Sequence, residues 1–271
     1  MSKWRRLAWG LPLALLLAGL ALVAWLPARW VVPRWQARMH DRVQFDDIGG
    51  SVWRGHAGDV SLLVGQRRVD LGRLDWQLSP SVLLHRTDIR FALDGPSGSF
   101  AGHMRTLDAQ TVAWDGLALH GGLAALDGFG IAPGGAALRG TLDLRDGHVQ
   151  LRDGWPQSGE IALDWRDAGL LDHGRLLALG NLHAQAQATG GVMQAQAQDD
   201  GSGALRVDGR AVLSPLGWRY QLTLAPRRHD EALSRWLAQF GPLDGDGALH
   251  LHGSGGIAAI GARDAAKGAQ P

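Results

Sequence analysis

The chain has 271 residues, a formal net charge of +1 and no cysteine. The near-neutral charge argues against a nucleic-acid partner, and the lack of cysteine excludes disulfides, thiolate zinc sites and a cysteine nucleophile. Glycine is abundant, with 39 residues, and it recurs between short alternating segments, which is typical of many short strands joined by tight turns. We therefore expect an all-β domain.

The chain begins with an uncharged apolar run, residues 7–28, which lies between Arg6 and Arg29. At about 1.5 Å of rise per residue this run makes a helix of roughly 33 Å, enough to cross a hydrocarbon core of about 30 Å. We predict one transmembrane helix that binds the chain to a lipid bilayer. The short segment 1–6 would remain in the cytoplasm, and the large remainder would be exported.

A cleaved secretory signal is the alternative interpretation of this run, because Lys3, Arg5 and Arg6 form a basic region ahead of it. The run is longer than the usual apolar region of about 7 to 15 residues, and Ala24-Trp25-Leu26 is not a small-x-small cleavage site. Basic residues flank both ends of the run, so the predicted orientation rests on the short N-terminal tail. These features favour an uncleaved anchor.

The exported part divides into three segments by composition. Residues 29–42 mix basic and aromatic side chains and form a juxtamembrane connector, whose basic residues could contact anionic head groups or could act only as a solubilising flank. Residues 43–253 form the β-rich domain. Residues 254–271 are rich in glycine and alanine with little apolar bulk, so we expect a disordered tail.

The β-rich domain opens with a hairpin over residues 45–64, which turns at Gly49-Gly50. Val69–Leu78 predicts a continuous strand with a β-bulge at Gly72, because the spacing of its apolar residues shifts by one position there. Residues 89–93 alternate between apolar and charged side chains and predict a half-buried strand.

The middle of the domain predicts an antiparallel meander of short strands and hairpins. Asp-Gly or Gly-Gly pairs between alternating segments indicate hairpin turns. We place such turns at Asp146-Gly147, Gly190-Gly191 and Asp208-Gly209. In the second of these hairpins one face is almost entirely alanine and the other glutamine, which indicates a close backbone approach or a narrow part of the sheet. Leu170–Leu179 could be strand or short helix.

One short amphipathic helix is predicted near the C-terminus. Asp230 can cap its N-terminus, and Leu233, Trp236, Leu237 and Phe240 share one face. The following Gly241 and Pro242 end it.

The sequence gives no support for catalysis, and we assign no catalytic residue, no cofactor and no metal. His250 and His252 share one face of a terminal strand, but no third ligand is fixed nearby. Asp244 and Asp246 begin a pattern like a calcium loop, but the Glu that ends such a loop is missing. No Gly-x-Ser-x-Gly nucleophile motif occurs. A binding or structural role is the simpler interpretation.

Two stretches of the chain carry a family resemblance. The first reads Ile48-x-Gly50-x-Val52-Trp53-x-Gly55-x-Ala57 and then Leu74-x-Trp76-x-Leu78-Ser79-Pro80-x-x-Leu83-Leu84. The second reads Leu237-x-x-Phe240-Gly241 and then Gly245-x-Gly247-x-Leu249-x-Leu251-x-Gly253. Both resemble protein N of the bacterial type II secretion system, the general secretion pathway protein N family.

The resemblance implies a single-pass protein of the bacterial inner membrane with a periplasmic β domain. It would serve as an accessory component of the machine that exports folded proteins across the outer membrane, with other secretion proteins as partners. It carries over no catalytic residue. The residues on which we expect fold or contacts in this region to depend are Gly50, Trp53, Gly55, Trp76 and Pro80.

A second hypothesis belongs to another functional class. A long antiparallel sheet with one apolar face can curl into an open groove that binds or transfers lipid, or the same face can close on itself as an ordinary core. The sequence leaves both forms of the sheet open.

Overall fold

The computed structural model describes residues 26–38, 43–64, 67–127, 136–172 and 174–256. Most of the predicted transmembrane helix, residues 7–25, lies outside these ranges. Within them, no helix is both long and apolar enough to span a bilayer. The chain divides into two compact units, Met1–Pro96 and Ser97–Pro271.

The first unit is a four-stranded antiparallel sheet in which the strands pair in chain order. Its elements are helix α1 (Ala28–Arg38) and strands β1 (Val43–Gly50), β2 (Arg54–Val64), β3 (Arg67–Leu78) and β4 (Asp88–Gly95). A 3-10 helix, Pro80–Leu84, connects β3 to β4. The predicted first hairpin is confirmed, with its turn directly after Gly50.

The predicted bulge at Gly72 is confirmed. Strand β3 is continuous, and its register against β2 shifts where Val60 faces Gly72 and Ser61 faces Asp70. Gly72 has a φ of +85°, a left-handed conformation that glycine adopts without strain. A Cβ atom there would lie 2.3 Å from the backbone carbonyl oxygen of Asp94. The bulge therefore requires glycine for two reasons, its dihedral angle and its contact with β4.

The second unit is a nine-stranded antiparallel meander, again paired in chain order. Its strands are β5 (Gly98–Thr106), β6 (Thr111–Gly122), β7 (Ala137–Arg152), β8 (Trp155–Asp172), β9 (Arg175–Thr189), β10 (Val192–Asp199), β11 (Leu205–Ser214), β12 (Gly217–Pro226) and β13 (Leu249–Gly256). Helix α2 (Glu231–Leu237) lies between β12 and β13. The all-β prediction and the short helix are confirmed.

Two predicted hairpin turns are wrong, because Asp146-Gly147 and Asp208-Gly209 lie inside continuous strands. At Asp146 the φ is +52°, and the register of β7 against β8 shifts between Leu144 and His148. The pair therefore makes a bulge. Asp208 and Gly209 pair with β10 on one side and β12 on the other. A residue pair that is hydrogen-bonded into the ladder on both sides cannot reverse the chain.

The Gly190-Gly191 hairpin is confirmed, with alanine facing alanine and glutamine facing glutamine between β9 and β10. Leu170–Leu179, left open between strand and helix, forms the facing ends of β8 and β9. Strand β13 runs to Gly256, three residues into the predicted tail. The rest of that tail, residues 257–271, lies outside the described ranges.

Helix α2 covers the main core of the second unit. Asp230 caps it by accepting hydrogen bonds from the backbone N–H groups of Ala232 and Leu233. Leu233 and Leu237 are 2% and 0% exposed. They pack in one cluster with Leu170, Leu177, Leu179, Leu205, Val207, Trp236 and Leu249. The core of this unit therefore lies under one short helix.

A buried carboxylate joins three strands of the second unit. Asp143 in β7 is 6% exposed. Its Oδ1 lies 2.8 Å from Nδ1 of His120 in β6, and its Oδ2 accepts a 3.0 Å hydrogen bond from Nε of Arg166 in β8. The hydrogen bond with His120, followed by the bonds and charge of Arg166, holds the pKa of Asp143 below its ordinary value.

This lowered pKa predicts a loss of stability in acid. A carboxylate with a lower pKa in the folded state stabilises the fold above its unfolded pKa, and the contribution is lost as the pH falls through the folded pKa. We expect Asp143→Asn to lower the free energy of unfolding at neutral pH by about 1.5 to 3 kcal/mol, the usual range for hydrogen bonds to charged groups. Thermal unfolding of both proteins across acidic pH measures this. The exposed control Asp59→Asn should unfold like the unsubstituted chain. If Asp143→Asn loses as much stability in acid as the unsubstituted chain does, Asp143 is not the source of the acid sensitivity.

Candidate functional site

The predicted residues of the first unit meet at one end of its sheet, where the β1–β2 turn approaches the β3–β4 connection. Gly55 in β2 faces Trp76 in β3. A Cβ atom on Gly55 would lie 2.5 Å from Cζ2 of Trp76 and 2.7 Å from the Ser51 carbonyl oxygen. The indole therefore lies directly on the backbone of Gly55, and glycine is needed because any side chain would occupy the position of the ring.

Trp76 also holds the β1–β2 turn through its polar atom. Its Nε1 donates a 3.0 Å hydrogen bond to the backbone carbonyl of Val52. The turn begins at Gly50, whose φ is +78° and whose Cβ would lie 2.5 Å from the Arg54 carbonyl oxygen. Gly50, Gly55 and Trp76 thus act together to fix the shape of this turn.

Trp53 and Pro80 line an open cavity of about 540 Å³ at the same end of the sheet, together with Arg54, Gln77, Leu78, Ser79, Asp88 and Arg90. Two backbone hydrogen bonds assemble it: Leu78 N–H donates to the Trp53 carbonyl at 2.7 Å, and Ser79 N–H donates to the Asp88 carbonyl at 2.8 Å. The structure therefore brings all five predicted residues into one cluster, hereafter the Trp53–Trp76 cluster.

The cavity has a positive rim. Arg54, Gln77 and Arg90 occupy facing positions on β2, β3 and β4 and are exposed. The nearby carboxylate of Asp75 is engaged by Arg73, whose Nε donates to it at 2.8 Å. That hydrogen bond lowers the pKa of Asp75. This rim suits binding of an anionic group rather than proton transfer.

Sequence reasoning missed the arginines of this rim. The alternation of Asp88 and Arg90 with apolar residues already predicted that these two charged residues share the solvent-exposed face of a strand. What the sequence lacked was the register, which places Arg90 opposite Gln77 and Gln77 opposite Arg54.

A second candidate site is an apolar trough in the second unit, with a volume of about 390 Å³. Two rows of facing residues cross strands β8 to β12. The rows are Ile161, Ala186, Ala195, Ala211 and Tyr220, and Leu163, Ala184, Ala197, Gly209 and Leu222. In each row the outer residues are bulky and the inner three are alanine or glycine. The floor of the trough is therefore formed by small residues, and bulky side chains border it on both sides.

The trough adjoins the core under helix α2. The next row along the same face contains Trp165 and Leu182, then Asp199, whose carboxylate accepts the Val207 N–H, and then Val207 and Leu224. Val207 belongs to that core, and Trp165, Leu182 and Leu224 pack against it. The apolar face of the second unit is therefore covered at the helix and open over the alanine rows.

Among the described residues, no group of three or more His, Asp or Glu side chains is arranged to hold a metal ion. His250 Nε2 lies 2.9 Å from Oδ2 of Asp244, and its Nδ1 lies 3.2 Å from the Thr223 hydroxyl. Asp244 accepts backbone N–H groups of Ala248 and Asp246. These contacts describe a hydrogen-bonded turn, with the pKa of Asp244 lowered first by the Ala248 N–H.

Comparison with known proteins identifies one family whose model matches this chain. The family model for type II secretion system protein N matches residues 41–252, which include the Trp53–Trp76 cluster, the alanine rows and helix α2. Comparison with curated proteins and with solved structures gives no match. The match covers most of the chain, and the resemblance of the two quoted stretches is confirmed. The chain belongs to the type II secretion system protein N family.

Proposed function

We propose that the chain is a non-enzymatic component of the type II secretion machinery, anchored in the bacterial inner membrane by residues 7–28 with both β units in the periplasm. There it contacts other secretion proteins and supports export of folded proteins across the outer membrane. The observation that carries the proposal is the family match over residues 41–252, a family of secretion components. The uncharged run ahead of the matched residues supports the anchor.

Strand β13 is the place where we expect a partner to bind. In the described part of the chain it pairs with β12 along one edge, and on the other edge only its first residue, Leu249, is bridged, to Leu243, with no strand beyond it. An exposed edge can take up a strand from a partner through backbone hydrogen bonds. Trp218 and Tyr220 of β12 stack at 5.8 Å and lie over Gly255 and Gly253 of β13. These rings support the glycine-rich edge and hold it extended.

Site-specific photocrosslinking in cells tests this contact. A photoreactive residue at Ser254, exposed on β13, is expected to give an adduct with another secretion protein. The same residue at Gln196, exposed on the central strand β10, is the matched control and should give none. Failure of Ser254 and of the neighbouring His252 to reach any secretion protein would contradict contact through this edge.

The apolar trough supports a second candidate function, binding or transfer of a lipid or another hydrophobic molecule. Its floor of alanine and glycine leaves space above the sheet that a chain of methylene groups could fill, and burial of apolar surface would drive binding. This function belongs to a different class, and the two can coexist in one protein.

Filling the trough tests this candidate. Ala195 lies in the middle of the floor, so Ala195→Leu should reduce co-purified lipid at least about tenfold, the effect of about 1.4 kcal/mol of lost binding free energy. Mass spectrometry of lipids extracted with the purified full chain measures this. Gln194→Leu adds a similar side chain at an exposed position of the same strand that does not line the trough, and serves as the control. Equal lipid content in the two variants would exclude the trough as the binding site.

A further inference from the structure

We propose that the 3-10 helix between β3 and β4 is a membrane-contact element, in which Leu83 and Leu84 insert into an anionic bilayer surface. The inference rests on the proposed anchoring of the chain by residues 7–28. It adds a second point at which the first unit meets the bilayer, and this point would set the orientation of the unit on the membrane.

The position of the 3-10 helix follows from hydrogen bonds that begin at the end of the predicted anchor. The Val52 N–H donates to the Leu26 carbonyl at 2.9 Å, and Pro27 forms an isolated bridge with Ser51. The carbonyl of the next residue, Trp53, accepts the N–H of Leu78 at 2.7 Å. Two residues beyond Leu78 the 3-10 helix begins. The predicted exit from the bilayer and the 3-10 helix therefore lie at the same end of the first unit.

The 3-10 helix presents apolar side chains to solvent on a well-defined scaffold. Leu83 is 61% and Leu84 77% exposed, the highest values among large apolar residues in the described part of the first unit. The Ser81 hydroxyl donates to the carbonyl of Arg86 at 2.8 Å and closes the segment. Two adjacent exposed leucines on a fixed turn are unfavourable in water, and they suit insertion into the acyl boundary of a bilayer.

The charges around the leucines are complementary to anionic lipid. Arg86 follows the 3-10 helix, and Arg54 and Arg90 form the exposed rim of the adjoining cavity, with Asp88 as the carboxylate among them. Arginine binds phosphate through paired hydrogen bonds, and basic clusters next to a span bind anionic head groups. Apolar residues flanked by arginine are the composition expected of an interfacial membrane contact.

The anchor makes the bilayer the favoured occupant of this surface. Because Leu26 is hydrogen-bonded to Val52 of the same unit, the connection between the predicted span and this end of the unit has little slack. A tethered surface meets the bilayer at high effective concentration, whereas a protein partner would have to enter between the unit and the membrane.

Fluorescence of the full chain in nanodiscs tests the inference. The sequence has no cysteine, so Leu84→Cys can carry a single environment-sensitive label such as NBD. We expect a blue-shifted emission and strong quenching by nitroxide-labelled lipid in discs that contain phosphatidylglycerol. Leu63→Cys is the matched control, because Leu63 is also exposed and lies about 30 Å from Arg54 along β2, given the rise of a strand. Its label should stay unquenched.

The charge contribution is tested on the same labelled protein. The pair Arg86→Gln and Arg90→Gln should reduce quenching of the Leu84 label in phosphatidylglycerol discs and leave it unchanged in purely zwitterionic discs. Equal quenching of the Leu84 and Leu63 labels would overturn the inference. So would a Leu84 label that becomes buried only after addition of another secretion protein, since that outcome makes the surface a protein-docking site.

Failure of the anchor gives a different result. If the chain does not enter the discs, or is extracted from cell membranes by alkaline carbonate, the proposed anchoring is wrong, whatever the fluorescence of the label shows. If the chain enters the discs and the Leu84 label remains in water, the anchor stands and the second membrane contact is wrong.

Discussion

Replacement of Trp76 by alanine is expected to lower the free energy of unfolding of the first unit by about 3 to 5 kcal/mol, the range for loss of large aromatic side chains from packed sites. The ring lies on the backbone of Gly55, and its Nε1 donates to the Val52 carbonyl. Its loss would remove both the packing and the hydrogen bond that hold the β1–β2 turn. Hydrogen exchange of the full chain measures the effect in peptides from residues 43–96.

Two further variants separate packing from hydrogen bonding at this position. Trp76→Phe keeps an aromatic ring and loses the indole donor, and should cost about 1 kcal/mol, the usual net value of one hydrogen bond. Gly55→Ala keeps the tryptophan and places a methyl group against it, and should cost about 1 to 3 kcal/mol through overpacking.

Peptides from the second unit are the internal control for the Trp76 series and should exchange at unchanged rates. If Trp76→Ala changes the stability of the first unit by less than about 0.5 kcal/mol, which is typical of surface substitutions, the ring is not a fold determinant. Trp76 would then be available as a contact residue for a partner.

Replacement of Leu237 by alanine is expected to lower the free energy of unfolding of the second unit by about 2 to 5 kcal/mol. Leu237 is 0% exposed and belongs to the core that helix α2 covers. Because the helix has only seven residues, it depends on this packing more than on its own propensity. Its undocking would uncover the apolar ends of β8, β9 and β11.

Hydrogen exchange and thermal unfolding of the full chain measure the Leu237 effect. Gln239→Ala, two residues away and exposed, is the matched control and should stay within about 0.5 kcal/mol of the unsubstituted chain. If Leu237→Ala leaves exchange in β8, β9 and β11 unchanged, the helix does not stabilise the core of the second unit.

Local patterns in the sequence were sufficient to predict the strands that have one solvent-exposed face. The alternation in β4 and the alanine and glutamine of β9 and β10 each predicted the observed element, as did the displaced periodicity at Gly72. In these segments the alternation of side-chain types along the strand indicates which face of the sheet is covered. The capped helix was predictable for the same reason, since Asp230 and the apolar stripe identify its start and its buried face.

The Asp-Gly pairs were misinterpreted because one local conformation serves two purposes. A positive φ at Asp146 is compatible with a hairpin turn and with a bulge. The choice depends on whether neighbouring strands pair through the position, which is a tertiary property. Strands β5 and β6 were not predicted at all, because their burial lacks regular alternation.

The candidate site was predictable as a set of residues but not as a shape. The short motifs contain Gly50, Trp53, Gly55, Trp76 and Pro80, and the structure places all five in one cluster. The arginine rim depends on how β2, β3 and β4 are aligned, and the trough depends on five strands in register. Register is a property of paired strands that the pattern of one strand does not contain, and at the trough the Asp208-Gly209 pair was in addition misassigned as a turn.

Secretion itself is the most direct test of the proposed role. In the bacterium that carries the gene, its deletion is expected to leave exoproteins in the periplasm and to lower their activity in the medium. The intact chain should restore secretion, and a chain without residues 7–28 that is exported by a cleavable signal should not. Unchanged secretion after deletion would contradict the role as a secretion component, and full rescue by the unanchored chain would contradict the need for the membrane anchor.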